Sequence, residues 1–311
     1  MHGMTIGKKT TLGFGTVLVL LLLLNISTEL GIRSIVNNAN EVINGNQLDK
    51  TLAQKEVDHL MWAEQLSSFL TDDKITELTI QTDDHQCGFG KWLYGDGRLQ
   101  AESLLPGLAS MFKEIEKPHA ELHRSAIAIK GVFKQSDPNL LTTIGGIKAA
   151  HLIWASKVKD ALLNKSSGLS VETDPSKCGL GKWLGSEQAT SLLTGDGEEI
   201  EGIFAAIPTS HNALHASANE INKLLVAGKF NQALDYFQTT TTPQLDSTLA
   251  LLLKLEKYVQ HDLDGMREAN TIYVDQTVPA LHEVQSLLKK IRTVTGDNIM
   301  SEDVIRVLKS I

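Results

Sequence analysis

The chain has 311 residues and a mass of 34.0 kDa, room for about two domains. With 29 basic against 37 acidic residues and a net charge of -8, it lacks the basic footprint that nucleic-acid binding requires. Hydrophobic residues make up 42%, which excludes a disordered polymer, and abundant Leu, Ala, Lys, Glu and Gln favour helix throughout.

The first element is apolar. "TLGFGTVLVLLLLLNI", residues 11–26, carries no charge and follows Lys8 and Lys9. With its flanking Thr10 and Ser27 it reaches the length of a membrane span. No small-x-small cleavage site follows, so an uncleaved anchor over 10–28 is expected rather than a signal peptide. The lysines put the short segment 1–9 on the cytoplasmic side and the bulk of the chain across the membrane. In a bacterium that is a single pass of the inner membrane with a periplasmic body, joined by a connecting helix over 29–49.

Beyond the anchor the chain repeats itself. "HLMWAEQL" at 59–66 matches "HLIWASKV" at 151–158, "CGFGKWL" from Cys87 matches "CGLGKWL" from Cys178, and "HAELH" at 119–123 matches "HNALH" at 211–215. The spacing between the copies is 92, 91 and 92 residues respectively. Intervening sequence has drifted, yet three His, one Cys, two Trp and two Gly hold their places in each copy. These residues include all four tryptophans (Trp62, Trp92, Trp154, Trp183) and both cysteines.

The kept residue types point to a metal. His119 and His123, like His211 and His215, stand one helical turn apart and present two imidazoles to one side. His59 or His151 and one cysteine complete a set of three imidazoles and a thiolate. That set suits closed tetrahedral Zn²⁺, with Zn–N of roughly 2.0–2.1 Å and Zn–S of roughly 2.3 Å, and disfavours oxygen-seeking Mg²⁺ or Ca²⁺. The expected ligands are His59, Cys87, His119 and His123 in copy one, and His151, Cys178, His211 and His215 in copy two. Pro118 and Pro208 read as helix-start signals for the paired-histidine motif. Trp62 and Trp154, three residues after a ligand, are expected beside the site or in the core. Gly88 and Gly90 allow a sharp bend or close approach after the ligand, with Cys87 at a helix start where a nearby metal would depress its pKa.

Other chemistries fit less well. A Cys87–Cys178 disulfide would leave the histidines without purpose, and a c-type haem site needs C-x-x-C-H. A zinc hydrolase needs an open metal position and a base, but Glu121 in one copy is Ala213 in the other. A di-iron bundle needs duplicated glutamates, which are absent. No catalytic residue is assigned, and no cofactor other than zinc. His85 has Ser176 as its counterpart and reads as a surface residue; His2, His261 and His282 receive no role.

The succession of "HLxW", "CxxGxW" and "HxxxH" resembles the chemoreceptor zinc-binding (CZB) family over about residues 50–230. The resemblance implies small helical bundles that hold zinc through three histidines and a cysteine, attached to chemoreceptors or diguanylate cyclases. It implies sensing of zinc or of oxidants that attack the bound cysteine. Family members are mostly single cytoplasmic domains, whereas this sequence has a tandem behind an anchor and no recognisable output module. "MTIGKKTTLGFG" resembles the opening of methyl-accepting chemotaxis proteins.

The remainder, 231–311, has an apolar stripe at 245, 249, 252, 255, 259, 263 and 266, and a second over 278–294. Pro243 and Pro279 read as helix starts, and "ALDYFQTTTTPQL" weakly matches "ANTIYVDQTVPAL". The expected protein is all-α. An N-terminal transmembrane helix leads to two four-helix-bundle-like zinc domains, 50–138 and 139–230, and then to a helical tail, 231–311. Its expected function is zinc-dependent sensing as a homodimer or with a chemotaxis signalling protein; zinc buffering or a structural zinc role is the alternative.

Overall fold

The computed structural model describes residues 5–193 and 197–299, so the terminal "SEDVIRVLKSI" and His2 lie outside the described residues. Among the described residues there are helices and loops but no strand. The chain forms two compact units. Of the described residues, one comprises 5–131 and 270–299, the other 132–193 and 197–269.

In the first unit, α1 runs without a break over Ile6–Thr71, so anchor, connecting segment and first ligand helix are one element. Nothing in those 66 residues is a proline, and the sequence is rich in strong helix formers. This is the one described helix long and apolar enough to cross a membrane. After a loop come α2 (Gly88–Leu93), α3 (Asp96–Leu104), a 3₁₀ turn over Pro106–Leu108, and α4 (Ala109–Val132). Phe112, Ile115, Leu122, Ala126 and Ile129 form the buried stripe of α4 at spacings of three and four. His119 occupies the same stripe, in the place of an apolar residue.

The second unit repeats the plan with α5 (Leu140–Leu163), α6 (Gly179–Leu184), α7 (Glu187–Leu192) and α8 (Glu198–Val226). α9 (Phe230–Tyr236), α10 (Thr242–Ile272) and α11 (Val278–Ile299) follow, separated by π-turns at Phe237–Thr241 and Tyr273–Thr277. α10 belongs to the second unit through Ala269, and α11 to the first. Leu252, Leu255, Val259 and Leu263 of α10 join one apolar cluster of the second unit, and Leu245 joins the other. α11 packs along α1, burying Val284, Leu288 and Ile291, with Arg292 donating to Asp49 at 2.8 Å and to Glu56 at 3.1 Å. The two apolar stripes of the C-terminal segment are therefore bundle core, one in each unit. The first bundle is closed only by the helix that follows the whole of the second.

The prolines differ from their reading as start signals. Pro118 and Pro208 lie well inside α4 and α8, which begin at Ala109 and Glu198. Each costs its helix one hydrogen bond, a loss that the buried stripes on either side outweigh. Pro243 and Pro279 each sit at the second residue after a π-turn. There the N–H of Thr242 reaches back to Phe237, and that of Val278 to Tyr273. The wider turn accommodates the missing proline donor, so the helix continues instead of starting afresh. Thr277, the last residue of its π-turn, is buried with its hydroxyl 2.7 Å from that of Ser125, two residues beyond His123.

Candidate metal centres

His59 comes from α1, Cys87 from the turn before α2, and His119 and His123 from successive turns of α4. Their potential donor atoms lie within 4.8 Å of one another, and the same holds for His151, Cys178, His211 and His215 in the second unit. The imidazole centroids form nearly equal triangles. His59–His119, His119–His123 and His59–His123 are 5.1, 4.9 and 6.1 Å apart; the second set measures 5.3, 4.7 and 5.9 Å. All six rings are buried, and neither cysteine is in a disulfide.

Backbone carbonyls orient four of the rings. Nδ1 of His59 lies 2.7 Å from the Lys55 carbonyl, and Nδ1 of His151 lies 2.8 Å from that of Ile147. Nδ1 of His123 lies 3.0 Å from the Gln81 carbonyl, and Nδ1 of His215 lies 2.9 Å from that of Glu172. A carbonyl can only accept, so these contacts put the proton on Nδ1 and leave the Nε2 lone pair facing the cluster. The carbonyls of Gln81 and Glu172 accept a second bond from the indoles of Trp62 and Trp154, both at 2.8 Å. Each indole also leans on the histidine it backs, 5.1 Å from His123 or 5.4 Å from His215. These tryptophans belong at once to the core and to the mounting of the site. The loop carbonyls were not visible in the sequence, because a backbone acceptor has no residue signature.

Cys87 caps the start of α2 and Cys178 that of α6, and the sulfurs accept from the N–H groups of Gly90 at 3.1 Å and Gly181 at 3.4 Å. Only the second glycine of each motif is forced by space. A Cβ on Gly90 would stand 1.7 Å from the Asp84 carbonyl oxygen, and one on Gly181 would stand 2.0 Å from that of Pro175. Gly179 faces open space. The sulfurs lie 3.3 Å and 3.1 Å from Nε2 of His119 and His211. Donors sharing a tetrahedral zinc would stand roughly 3.3–3.6 Å apart.

Burial decides the charge state. Desolvation holds all six histidines below the usual imidazole range, with His119 pushed to about 2 and His123 and His211 to about 4, neighbouring imidazoles adding to the effect. The rings are therefore neutral, as metal ligation requires. Burial also pushes the Cys87 thiol up, despite the N–H donors of Gly90 and Phe89. The depressed cysteine expected at a helix start thus requires a cation beside it; the short helix does not supply it.

The residues fit zinc on a physical test. Nε2 of His59, His123, His151 and His215 and Nδ1 of His119 are buried without a hydrogen-bond partner. Leaving a buried polar atom unpaired costs about 1–3 kcal/mol. The four Nε2 atoms, two in each domain, represent about 2–6 kcal/mol per domain, a large share of a domain stability of about 5–15 kcal/mol. A cation shared by the rings and the thiolate removes that cost.

Glu121 is paired with Lys117 at the surface, and Lys91 and Lys182 are exposed. His85 is stacked on Tyr94 at 3.9 Å in an exposed group with Asp83 and Asp84, outside the buried cluster.

Comparison with known proteins gives one family. The model of the chemoreceptor zinc-binding domain matches residues 59–130 and again residues 151–222. Searches of curated proteins and of solved structures gave no match. Each matched segment starts at the first histidine of a cluster and ends beyond its paired histidines, so it takes in all four clustered residues. The chain carries two tandem domains of the chemoreceptor zinc-binding family.

Proposed function

We propose that this protein is a membrane-anchored sensor in which each domain binds one Zn²⁺. His59, Cys87, His119 and His123 would hold one ion, and His151, Cys178, His211 and His215 the other. The observation that carries this reading is the convergence of four unpartnered, buried Nε2 atoms and two sulfurs on two points. When bound, the metal supplies a cation that keeps each thiol ionised and ties three helical segments together. Four protein donors leave no open position, in keeping with a sensory rather than a catalytic domain.

The signal would be zinc availability or oxidation of Cys87 or Cys178. Conversion of a thiolate to sulfenic acid withdraws a ligand, after which the three neutral imidazoles stand unsatisfied in the core and the bundle repacks. The apolar stretch of α1 would cross the inner membrane once, with Lys8 and Lys9 in the cytoplasm and the bundles in the periplasm. The output would pass to a second copy of the chain or to a chemotaxis signalling protein.

Zinc buffering or a structural role would use the same residues, and one experiment separates oxidation sensing from buffering. The zinc-loaded protein is titrated with an oxidant while released metal and free thiols are counted. A sensor of oxidation releases one zinc per thiol consumed, while a buffer gives up zinc to a chelator with thiols intact. Retention of two zinc ions at unchanged affinity by the Cys87→Ser, Cys178→Ser double variant would refute the ligand assignment.

A further inference from the structure

The two centres share their donors but not the groups that hold the cysteine turn. In the first domain the Lys55 carbonyl lies 2.7 Å from Nδ1 of His59, while the Lys55 side chain reaches the turn after Cys87. Its ammonium pairs with Asp58 at 3.4 Å. A Cβ on Gly88 would meet that ammonium at 3.3 Å and the Asp58 carboxylate at 3.8 Å, so the ion pair lies across the turn. The Gln54 amide steadies Asp58 with a bond of 2.9 Å. The turn also closes on itself, with the N–H groups of Gln86 and Cys87 donating to the Asp83 carbonyl at 3.0 and 3.2 Å.

In the second domain the positions of Gln54, Lys55 and Asp58 are taken by Gly146, Ile147 and Ala150. The Ile147 carbonyl still serves His151, at 2.8 Å, but its side chain is buried in the apolar cluster with Leu180. A Cβ on Gly179 would meet nothing within 4 Å, so that side of the Cys178 turn is open. Lys177 donates to the Asp174 carbonyl at 3.1 Å, as Gln86 does to Asp83. Among the described residues, the Cys178 N–H has no counterpart of the Cys87 bond. The glycine N–H stands farther from the sulfur as well, at 3.4 Å against 3.1 Å.

A zinc ion with four protein donors leaves only when a donor detaches. The cysteine is the donor mounted on a turn, and turns open locally at lower cost than long helices. We infer that the two centres are unequal: the second, at Cys178, gives up zinc about ten times faster than the first, the worth of roughly one backbone hydrogen bond and one ion pair. Lys55 and Asp58 are positioning residues for the Cys87 turn. The inference rests on the reading of both clusters as zinc sites. In such a sensor the first domain keeps its ion at a challenge that empties the second, so the tandem grades its response.

The test uses the full chain with both zinc ions bound, in detergent micelles, challenged with excess chelator and N-ethylmaleimide together. Bound sulfur is protected and released sulfur is labelled, and mass spectrometry follows the peptides of Cys87 and Cys178 separately. Each rate is divided by that of the metal-free chain, which removes differences in thiol reactivity. Cys178 is expected to label about ten times faster than Cys87. The Lys55→Ile, Asp58→Ala double variant, with two zinc ions counted as a check of folding, labels Cys87 about threefold faster and leaves Cys178 unchanged. Asp58→Asn, which keeps the packing, moves Cys87 in the same direction. Equal rates at the two cysteines, or faster labelling of Cys87, would overturn the inequality, and an unchanged Cys87 rate in both variants would overturn the role of the ion pair. If zinc protects neither cysteine relative to the metal-free chain, the reading of the clusters as zinc sites fails, and the inference with it.

Discussion

Replacing Gly90 by alanine isolates the geometry of the sulfur from its chemistry. The new methyl would lie 1.7 Å from the Asp84 carbonyl oxygen and 2.8 Å from its carbon. Ordinary contact needs about 3.5 Å, so the turn carrying Cys87 must retreat by well over 1 Å. That movement breaks the 3.1 Å bond from the Gly90 N–H to the sulfur. A hydrogen bond to a charged acceptor contributes roughly 1.5–3 kcal/mol, and overpacking costs about 1–3 kcal/mol. A combined loss of about 3–5 kcal/mol corresponds to about two to four powers of ten in zinc affinity at the first site. The assay is competition with a chromophoric chelator, counting tight sites: two in the parent chain, one in Gly90→Ala and one in Gly181→Ala. Gly179→Ala has nothing within 4 Å of its methyl and keeps both sites, as does Gly88→Ala, whose nearest neighbour is the mobile end of Lys55 at 3.3 Å. Two tight sites in Gly90→Ala would refute the argument that this turn sets the position of the sulfur.

Trp62→Phe and Trp154→Phe keep most of the packing but remove the indole bond to the loop carbonyl. Each is expected to weaken zinc binding at its own site by about tenfold, read by the same competition. In the metal-free protein the buried histidines have pKa values below those of the unfolded chain. Their contribution is therefore complete above the unfolded value of 6.5 and is lost as pH falls from there toward about 4, where His123 and His211 titrate. Each accounts for about 3 kcal/mol, so the melting temperature measured with chelator present should fall steadily across that window; a flat profile would contradict their burial as neutral groups. Thr277→Val removes the 2.7 Å bond to Ser125 and is expected to cost about 1–2 kcal/mol in denaturant unfolding. The π-turn counterpart, Thr241→Val, should be neutral or stabilising, since the buried Thr241 hydroxyl has no partner.

The eight clustered residues were legible because duplication separates chemistry from background. A lone H-x-x-x-H says little, but the same motif kept twice with a third His and a Cys amid drifted sequence marks a shared requirement. The all-helical fold was legible from periodicity, since α4 and α8 show their buried stripes directly. What local pattern did not carry was pairing at a distance. The stripes of α10 and α11 look alike in sequence, and nothing local assigns one to each unit. The repeated Thr-x-Pro, at Thr241–Pro243 and Thr277–Pro279, was the available signal, marking a fourth helix for each of the two domains. The prolines misled for a related reason: helix-start statistics describe local cost, and here buried stripes and π-turns absorb that cost.

The two copies also act as a natural substitution experiment on one site. Around the first cluster Phe89 packs edge-on against His59 and His119, and Lys55 reaches over Gly88. Around the second, Leu180 replaces the phenylalanine and Ile147 the lysine, with open space at Gly179. Trp92 and Trp183 both lean on a phenylalanine, Phe112 or Phe204, but Trp92 stands against Gly97 whereas Trp183 donates to Gln188. Against those changes, the donors, the doubly accepting loop carbonyls of Gln81 and Glu172, and the tight glycines Gly90 and Gly181 are held to within a few tenths of an ångström in their contacts. The invariant set therefore defines what the site needs. The neighbours that differ change the packing around each cluster without altering the donor set.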